Sequence, residues 1–302
     1  MYTAGIDLGG TRVRVGIIDE EYRLLYWEEA FSEVGLGYEH TLTVIFGLLD
    51  RAKEKYVYNR IGICAPGPLD HRSGVLLDPP NLQSWGNVAI VDLVRDRVNV
   101  PVFLLNDANA AALSEARSGA GKGYESVWFT TVSTGVGSGY VHEGKLIQGA
   151  GGCAGEIGNM IIVPDGAVHS NLNPGALEAY ASGTALTRIS IEKYGWAGGA
   201  QEAIERAIAG EKEAIKLIDQ TMTYLAIGLA NVVHTVNPDV FVMGGGVMTH
   251  HEYLLPILKA KTNERVYDSL KGTFDFTYAA YGVEAGVIGA ATYASLKLNV
   301  TI

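Results

Sequence analysis

Several short stretches place oxygen- and nitrogen-bearing side chains among glycines, where a backbone can approach a ligand closely. Asp7-Leu8-Gly9-Gly10-Thr11-Arg12 ends the apolar run AGIDL. Glycines there let backbone N–H groups reach a phosphate, and Thr11 and Arg12 add donors. Asp7 could hold a magnesium ion, directly or through water; an ordinary hairpin turn is the alternative. Ser133-Thr134-Gly135-Val136-Gly137-Ser138-Gly139 offers the same chemistry from the other half of the chain, through Thr134, Gly135 and Gly137. Gly244-Gly245-Gly246 lies between an apolar strand pattern and a helix pattern. Gly245 and Gly246 would admit a flat ring or a phosphate, although close helix packing would also call for glycine. Neither GxxxxGK[ST] nor a strand-anchored GxGxxG is present. Two phosphate hairpins from opposite halves suggest a nucleotide clamped between them.

Carboxylates and amides supply the second kind of chemistry. Asn106-Asp107 joins an apolar strand pattern to the helix-forming run ANAAALSEAR. A helix N-terminus favours a charged carboxylate, and ligands bind at strand C-terminal ends in α/β sheets. Asp107 there could accept a hydroxyl proton during phosphoryl transfer; a plain helix cap is the competing explanation. Pro79-Pro80-Asn81-Leu82 adds an amide in a proline-stiffened loop. Residues 155–178, GEIGNMIIVPDGAVHSNLNPGALE, carry Glu156 and Glu178 in a stretch too broken by Gly and Pro for one helix or strand. Those two glutamates could hold a metal, hold a substrate, or face water.

These groups need elements to position them. AGIDL and RVRVGIID read as two strands of a hairpin turned at Gly9-Gly10, with a third strand near LLYWEEA. A helix pattern covers His40–Tyr56, and IGICAPG and NVPVFLLND are buried strands. Residues 118–126, SGAGKGYES, resemble a linker. Strand, Gly-rich turn, strand, tight turn and strand then follow in SVWFTTVSTGVGSGYVHEGKL, which hints at internal duplication. Helices are predicted around 176–194, 199–209 and 212–235, then the strand DVFVM, a further helix, the strand TFDFTYAA and a terminal helix from Glu284 to Leu298. Strands alternating with helices predict an α/β architecture with two sheets.

The bulk numbers exclude several functions. With 23 Lys and Arg against 33 Asp and Glu, the net charge is −10, and no basic run offsets it. Nucleic acid and anionic membranes are therefore not expected partners. Cys64 and Cys153 are the only cysteines and lack zinc-site spacing, so they read as reduced, buried small residues. The opening MYTAGIDLGG lacks a signal-peptide pattern, and no apolar run approaches the ~20 residues that span a bilayer. A cytoplasmic location is expected.

Taken together, GIDLGGT, the PGP loop at 66–68, the Pro-Asn-Leu at Asn81, LNDANAAA, STGVGSG, GGCAGEIG, LEAYASG and GGGV resemble the ROK (repressor–ORF–kinase) family of sugar kinases. That family lies within the actin-like ATPase superfamily, and the resemblance spans nearly the whole chain. It implies a duplicated actin-like (ribonuclease H-like) fold with two α/β domains around a cleft. Residues 1–117, completed by the terminal helix about 284–302, would form the sugar side and 118–283 the nucleotide side. It also implies ATP- and magnesium-dependent phosphorylation of a hexose, usually at the 6-hydroxyl, by a homodimer. Asp107 matches the family's base; Asn81, Asn106, Glu156 and Glu178 match its sugar contacts. Asp7 to Arg12 and Thr134 to Gly137 match its phosphate loops. Glucose is the default substrate, with mannose, N-acetylmannosamine, fructose, allose or a β-glucoside as alternatives.

The chain departs from the pattern at the zinc site. In the family, GEIGH and CxCGxxGCLE supply one His and three Cys to a structural zinc. The matching positions here are Asn159, His169, Asn171 and Ala176. No structural zinc is expected, and His169 reads as a solvated loop residue. The replaced histidine also lies near the sugar in the family, so Asn159 is a candidate contact that would alter specificity. Pro164-Asp165-Gly166 is expected to turn the loop and Asn173-Pro174 to start a helix. Packing of Ile161, Ile162, Val163 and Leu172 is expected to replace the metal. Because the first hairpin begins at residue 5, a DNA-binding repressor is disfavoured; a catalytically inactive sugar-binding protein is the other alternative.

Overall fold

The structure is a computed structural model that describes residues 1–297 of the 302. In chain order the elements are β1 (Tyr2–Leu8), β2 (Arg12–Ile18), β3 (Leu24–Phe31), α1 (Tyr38–Lys55), β4 (Tyr58–Ala65), β5 (Leu69–Asp70), β6 (Val75–Leu76), α2 (Ile90–Val98), β7 (Val102–Asn106) and α3 (Asp107–Ser118). Then come β8 (Ser126–Val132), β9 (Val136–His142), β10 (Lys145–Ile147), α4 (Glu178–Ala181), α5 (Gly183–Tyr194), α6 (Gly199–Ile208) and α7 (Lys212–Val236). The chain closes with β11 (Val240–Gly244), α8 (Gly246–Thr249), α9 (Leu254–Asn263), β12 (Asp275–Tyr278) and α10 (Ala285–Lys297). The expected last residue of the terminal helix, Leu298, lies outside the described residues.

Two five-stranded sheets have the orders β3-β2-β1-β4-β7 and β10-β9-β8-β11-β12. Within each half the order is third, second, first, fourth, fifth, so the duplication hinted at by the two Gly-rich hairpins is a repeated topology. In the first sheet β1–β2 and β2–β3 are antiparallel, while β1–β4 and β4–β7 are parallel. No described helix is long and apolar enough to cross a membrane.

The chain forms two compact units, one of 1–123, 139–154 and 280 onward, the other of 124–138 and 155–279. The crossings fall at 123/124 and 279/280 rather than at the expected 117/118 and 283/284. Residues 139–154, assigned from sequence to the later domain, belong with the first unit. Cys64 is buried as expected, whereas Cys153 is exposed, which corrects its reading as a buried residue.

Side-chain alternation gives the first sheet two unlike faces. Ala4, Ile6 and Leu8 of β1, Val13, Val15 and Ile17 of β2 and Ile61 and Ile63 of β4 form a buried cluster with Ile45, Leu48 and Leu49 of α1. On the other face Gly16, Gly5 and Gly62 stand side by side across β2, β1 and β4. A Cβ on Gly5 or Gly62 would overlap the carbonyl oxygen of Val287 or Ala290, and one on Gly16 would overlap the Val287 side chain. The backbone of α10 therefore lies directly on the sheet. Gly289 on the same helix faces the carbonyl of Ala110 in α3 just as closely. One helix thus fixes both the β1 strand end and the start of α3.

Gly62→Ala should destabilise the protein by about 1–3 kcal/mol, the usual cost of overpacking. Gly35→Ala, where an added Cβ meets nothing within 4 Å, should stay within about 0.5 kcal/mol of the parent. Urea unfolding of both variants checks this, and equal stabilities would remove the close helix contact from the account.

Candidate active site

In the first unit the β1–β2 hairpin closes through the Gly9 N–H donating to the Arg12 carbonyl (2.9 Å), so that this N–H is spent inside the turn. Gly10 and Thr11 remain at its tip. Gly10 must be glycine, because a Cβ there would overlap the carbonyl oxygen of Asn81; the contact brings the Pro-stiffened loop onto the hairpin. Arg12 donates to Glu29 Oε1 (2.8 Å) and lies over the Phe31 ring, 4.5 Å from its centroid. A phosphate would have to compete with Glu29 for it. Asp7 sits in the sheet with Oδ2 accepting from Arg14 Nη1 (2.9 Å) and Oδ1 from the Cys64 thiol (3.5 Å). Burial pushes the Asp7 carboxyl up from its ordinary range, and the Arg14 charge opposes that shift.

At the C-terminal end of β7 the roles of two neighbours separate. Asn106 is the N-cap of α3, its Oδ1 accepting from Ala108 N–H (2.9 Å) and Asn109 N–H (3.3 Å). Asp107 is thus not the cap. It is the first residue of the helix, exposed, with Oδ1 accepting from Ala108 N–H (2.8 Å). Capping consumes the Asn106 oxygen and leaves its NH₂ group as a donor.

In the second unit the β8–β9 turn is bound from three directions. Gly183 N–H donates to the Ser133 carbonyl (2.8 Å), Thr184 N–H to the Thr134 carbonyl (3.3 Å), and Val136 N–H to Glu178 Oε2 (2.8 Å). A cavity of about 440 Å³ opens beside it, lined by Ser133, Thr134, Gly183, Thr184, Thr187, Ala200, Gly246 and Val247. Thr134 and Gly246 were expected from sequence; Gly183, Thr184, Thr187, Ala200 and Val247 were missed. The Ser182 hydroxyl accepting from Ala185 N–H (3.0 Å) starts α5 there, and the run Ser-Gly-Thr is the cap signal that could have placed a helix start at the cavity. Gly245 has φ +83° and a Cβ would overlap the Val132 backbone. Only glycine fits there. Gly135 and Gly137 lie in the same hairpin, with Gly137 inside β9.

Glu178 also lies near Glu156, another residue expected to meet a sugar. Burial, and then the Glu178 charge, push the Glu156 carboxyl up. His169 Nε2 lies 3.9 Å from Glu178 Oε1 and is half-buried, which corrects its reading as a solvated residue. Glu156, Asn159 and Glu178 lie in the second unit, while Asn81, Asn106 and Asp107 lie in the first.

The ROK family profile matches residues 3–296. The chain belongs to the ROK family. It is similar to a glucokinase of Thermotoga maritima, 31% identical over 95% of each chain. Among solved structures, the ROK hexokinase from Thermus thermophilus superposes with a TM-score of 0.93 at 34% identity, covering all of both chains. A ROK family glucokinase from Streptomyces griseus, solved with glucose and AMPPNP, matches with a TM-score of 0.81 at 30% identity over 98% of this chain and 100% of that one. The two sheets of repeated order are the actin-like ATPase fold.

In this ROK chain the positions matching the family's zinc ligands are Asn159, His169, Asn171 and Ala176. Among the described residues His169 belongs to no group of three ligating side chains. Asn159 Oδ1 instead accepts from the Asn173 N–H (2.7 Å). The loop is closed by backbone bonds: Ile162 and Val163 N–H to the Gly175 carbonyl (2.9 and 3.3 Å), Gly175 N–H to the Ala167 carbonyl (2.9 Å), and Leu177 N–H to the Met160 carbonyl (2.8 Å). The Tyr180 hydroxyl accepts from Ala167 N–H (2.6 Å). Pro164-Asp165-Gly166 turns as expected, Gly166 N–H reaching the Val163 carbonyl (3.1 Å). Two expectations are corrected. Asn173-Pro174 starts no helix, since its carbonyl closes a turn to Ala176 N–H (3.1 Å) and α4 begins only at Glu178. Apolar packing is not the clasp either: Ile161 is 54% exposed and Ile162, Val163 and Leu172 are only half-buried.

Tyr180→Phe should leave the Ala167 N–H without its acceptor, at about 1–3 kcal/mol, and speed hydrogen exchange at Ala167 and Gly175. Chelator treatment of the parent protein should leave its melting temperature unchanged. Mass-spectrometric exchange and calorimetry test the pair; a melting point that drops on zinc removal would show that metal, not this network, clasps the loop.

Proposed function

We propose that this ROK protein is an ATP-dependent hexose kinase, with Asp107 as the base that takes the proton of the sugar hydroxyl. The observation that carries the reading is the division of labour at β7–α3. Asn106 caps the helix, and the exposed Asp107 beside it opens α3, taking the Ala108 N–H at a helix end that attracts negative charge. The relatives named as glucokinases and a hexokinase support a hexose as acceptor.

The donor set fits the expected cofactors. The uncharged cavity beside Thr134 and Gly246 suits a nucleoside, and the glycine hairpins suit phosphates. Asp7 offers a lone carboxylate, the kind of set that magnesium completes with water and phosphate oxygens. When bound, that ion would neutralise charge on the transferring phosphoryl group.

The chain's own residues do the rest. Asn81 and the Asn106 NH₂ bind sugar hydroxyls in the first unit; Glu156 and Glu178 do so in the second, since each carboxylate accepts hydroxyl donors strongly in a dry site. Asp107 holds the reactive hydroxyl and takes its proton as the bond to phosphorus forms. Gly10, Thr11 and Thr134 to Gly137 steady the phosphates with backbone N–H groups. Asn159, whose oxygen is tied to the loop backbone, presents only its NH₂ donors, which separates its contribution from that of a histidine.

A coupled assay over glucose, mannose, N-acetylmannosamine, fructose, allose and a β-glucoside should find ATP-dependent turnover with glucose or a near relative. Asp107→Asn should lower kcat by ~10²-fold or more with sugar KM little changed. Wild-type turnover in that variant would remove Asp107 from the role of base.

Glu178→Gln should raise the sugar KM. It should disturb ATP KM less, because the Gln carbonyl still accepts from Val136 N–H. Equal losses for both ligands would mark Glu178 as a brace of the hairpin alone.

A further inference from the structure

We infer that Arg14 is a positioning residue for Asp7, the two forming the inner pair of a row of side chains that runs Glu29–Arg14–Asp7–Cys64 across four adjacent strands. The inference rests on the reading of Asp7 as the carboxylate that serves magnesium and the phosphates. The row follows from register: Arg14 stands opposite Glu29 in β2–β3 and opposite Asp7 in β1–β2, and Asp7 stands beside Cys64 in β1–β4. Residues so paired share one face of a sheet. It is the face that carries the glycine row, two residues further along each of β1, β2 and β4.

The contacts are continuous. Arg14 Nε donates to Glu29 Oε2 (3.2 Å) and Arg14 Nη1 to Asp7 Oδ2 (2.9 Å), while the Cys64 thiol donates to Asp7 Oδ1 (3.5 Å). A Cβ on Gly286, at the start of α10, would lie 2.9–3.1 Å from the Asp7 carboxylate atoms. Both oxygens are thus gripped in the plane of the sheet, and the helix backbone closes the space above. The Arg14 and Asp7 side chains are 17% and 16% exposed, against 39% for Arg12. Water competes for the Arg14–Asp7 pair far less than for the Arg12–Glu29 pair.

Two nitrogens of one planar fork are used at once, toward two carboxylates on opposite sides. A lysine ammonium on a flexible stem cannot hold both in that geometry. Glu29 keeps the fork from turning, and its second oxygen also holds Arg12. The row therefore aims the Asp7 lone pairs that remain after Arg14 and Cys64 are satisfied.

The test uses the full chain with Arg14→Gln, Arg14→Lys and Glu29→Gln. Magnesium is titrated into ATP binding by calorimetry, glucose binding is measured without nucleotide, and kcat and KM follow by coupled assay. Arg14→Gln should lower kcat on the order of tenfold to a hundredfold, as a misplaced group does. It should also raise the magnesium concentration for half-maximal ATP binding severalfold, with glucose affinity unchanged. Arg14→Lys should recover part of both losses, and Glu29→Gln should show a smaller shift in the same direction. Unchanged magnesium dependence in Arg14→Gln, or parallel loss of glucose affinity, would overturn the inference. If Arg14→Gln does not fold, the Lys and Glu29 variants decide by the same magnesium titration. If the parent protein phosphorylates no sugar, the function proposed above fails while the ATP–magnesium titration still decides the role of Arg14.

Discussion

The first unit depends on one close contact, the backbone of α10 lying on the glycine row Gly16–Gly5–Gly62. A side chain at Gly5 or Gly62 would overlap the α10 backbone and push the helix off the sheet. Lifting it would withdraw Gly286 from the Asp7 carboxylate and Gly289 from Ala110. The same helix therefore sets the roof over Asp7 and the seat of α3, which begins with Asp107. Packing is discontinuous at this density: interiors tolerate no intermediate spacing without either overlap or a void. A contact made of backbone on backbone transmits position without rotamer freedom. It holds in place two carboxylates, Asp7 and Asp107, that come from separate strand ends.

The second unit solves the corresponding problem with a carboxylate in place of glycines. Glu178 Oε2 receives the Val136 N–H, and the other oxygen faces His169. Glu178 also opens α4, directly after the loop that a metal would have clasped in a zinc-bearing relative. In this chain the loop is held by backbone pairing about Gly175, whose φ of +81° and contact with the Val163 carbonyl admit no side chain. Such hydrogen bonds contribute about 1 kcal/mol each net, so several in one ring are needed where one metal would serve. Their number, rather than the strength of any one, explains why the loop keeps a defined path with only half-buried apolar side chains.

Much of this was legible in the residues. The alternation of AGIDL and RVRVGIID specified the first hairpin, and the Pro/Gly-bounded apolar runs specified the parallel strands. The helix-forming run after Asn106-Asp107 placed Asp107 at a helix start, although which of the two caps the helix was not readable, because Asn and Asp are equally good caps. Other features depend on tertiary partners. The expected 176–194 helix is two helices, broken where the Ser182 side chain caps the second. Asn173-Pro174 has the local chemistry of a helix start, yet Gly175 must pair with Ile162 and Val163, and that pairing takes the backbone elsewhere. Arg12 stands out for its place beside the glycines, whereas Arg14 reads locally as one more polar residue in an alternating strand. Only the register that sets Arg14 between Asp7 and Glu29 distinguishes the two.

The repeated strand order invites a comparison of what each copy does with equivalent positions. Matching the ends of β1 and β8, Thr131 takes the place of Asp7 and Phe129 that of Gly5. A phenylalanine where the first copy has glycine rules out a helix backbone resting on that strand, and the Phe129 ring instead meets Gly244 of the neighbouring β11. With a threonine at its strand end, the second hairpin has no acid of its own. Its carboxylate comes from Glu178, 42 residues beyond the N–H that it receives. Duplication thus preserved the sheet and its glycine turn while dividing the chemistry. One hairpin keeps an in-strand acid fixed by an arginine, and the other keeps uncharged walls beside a cavity.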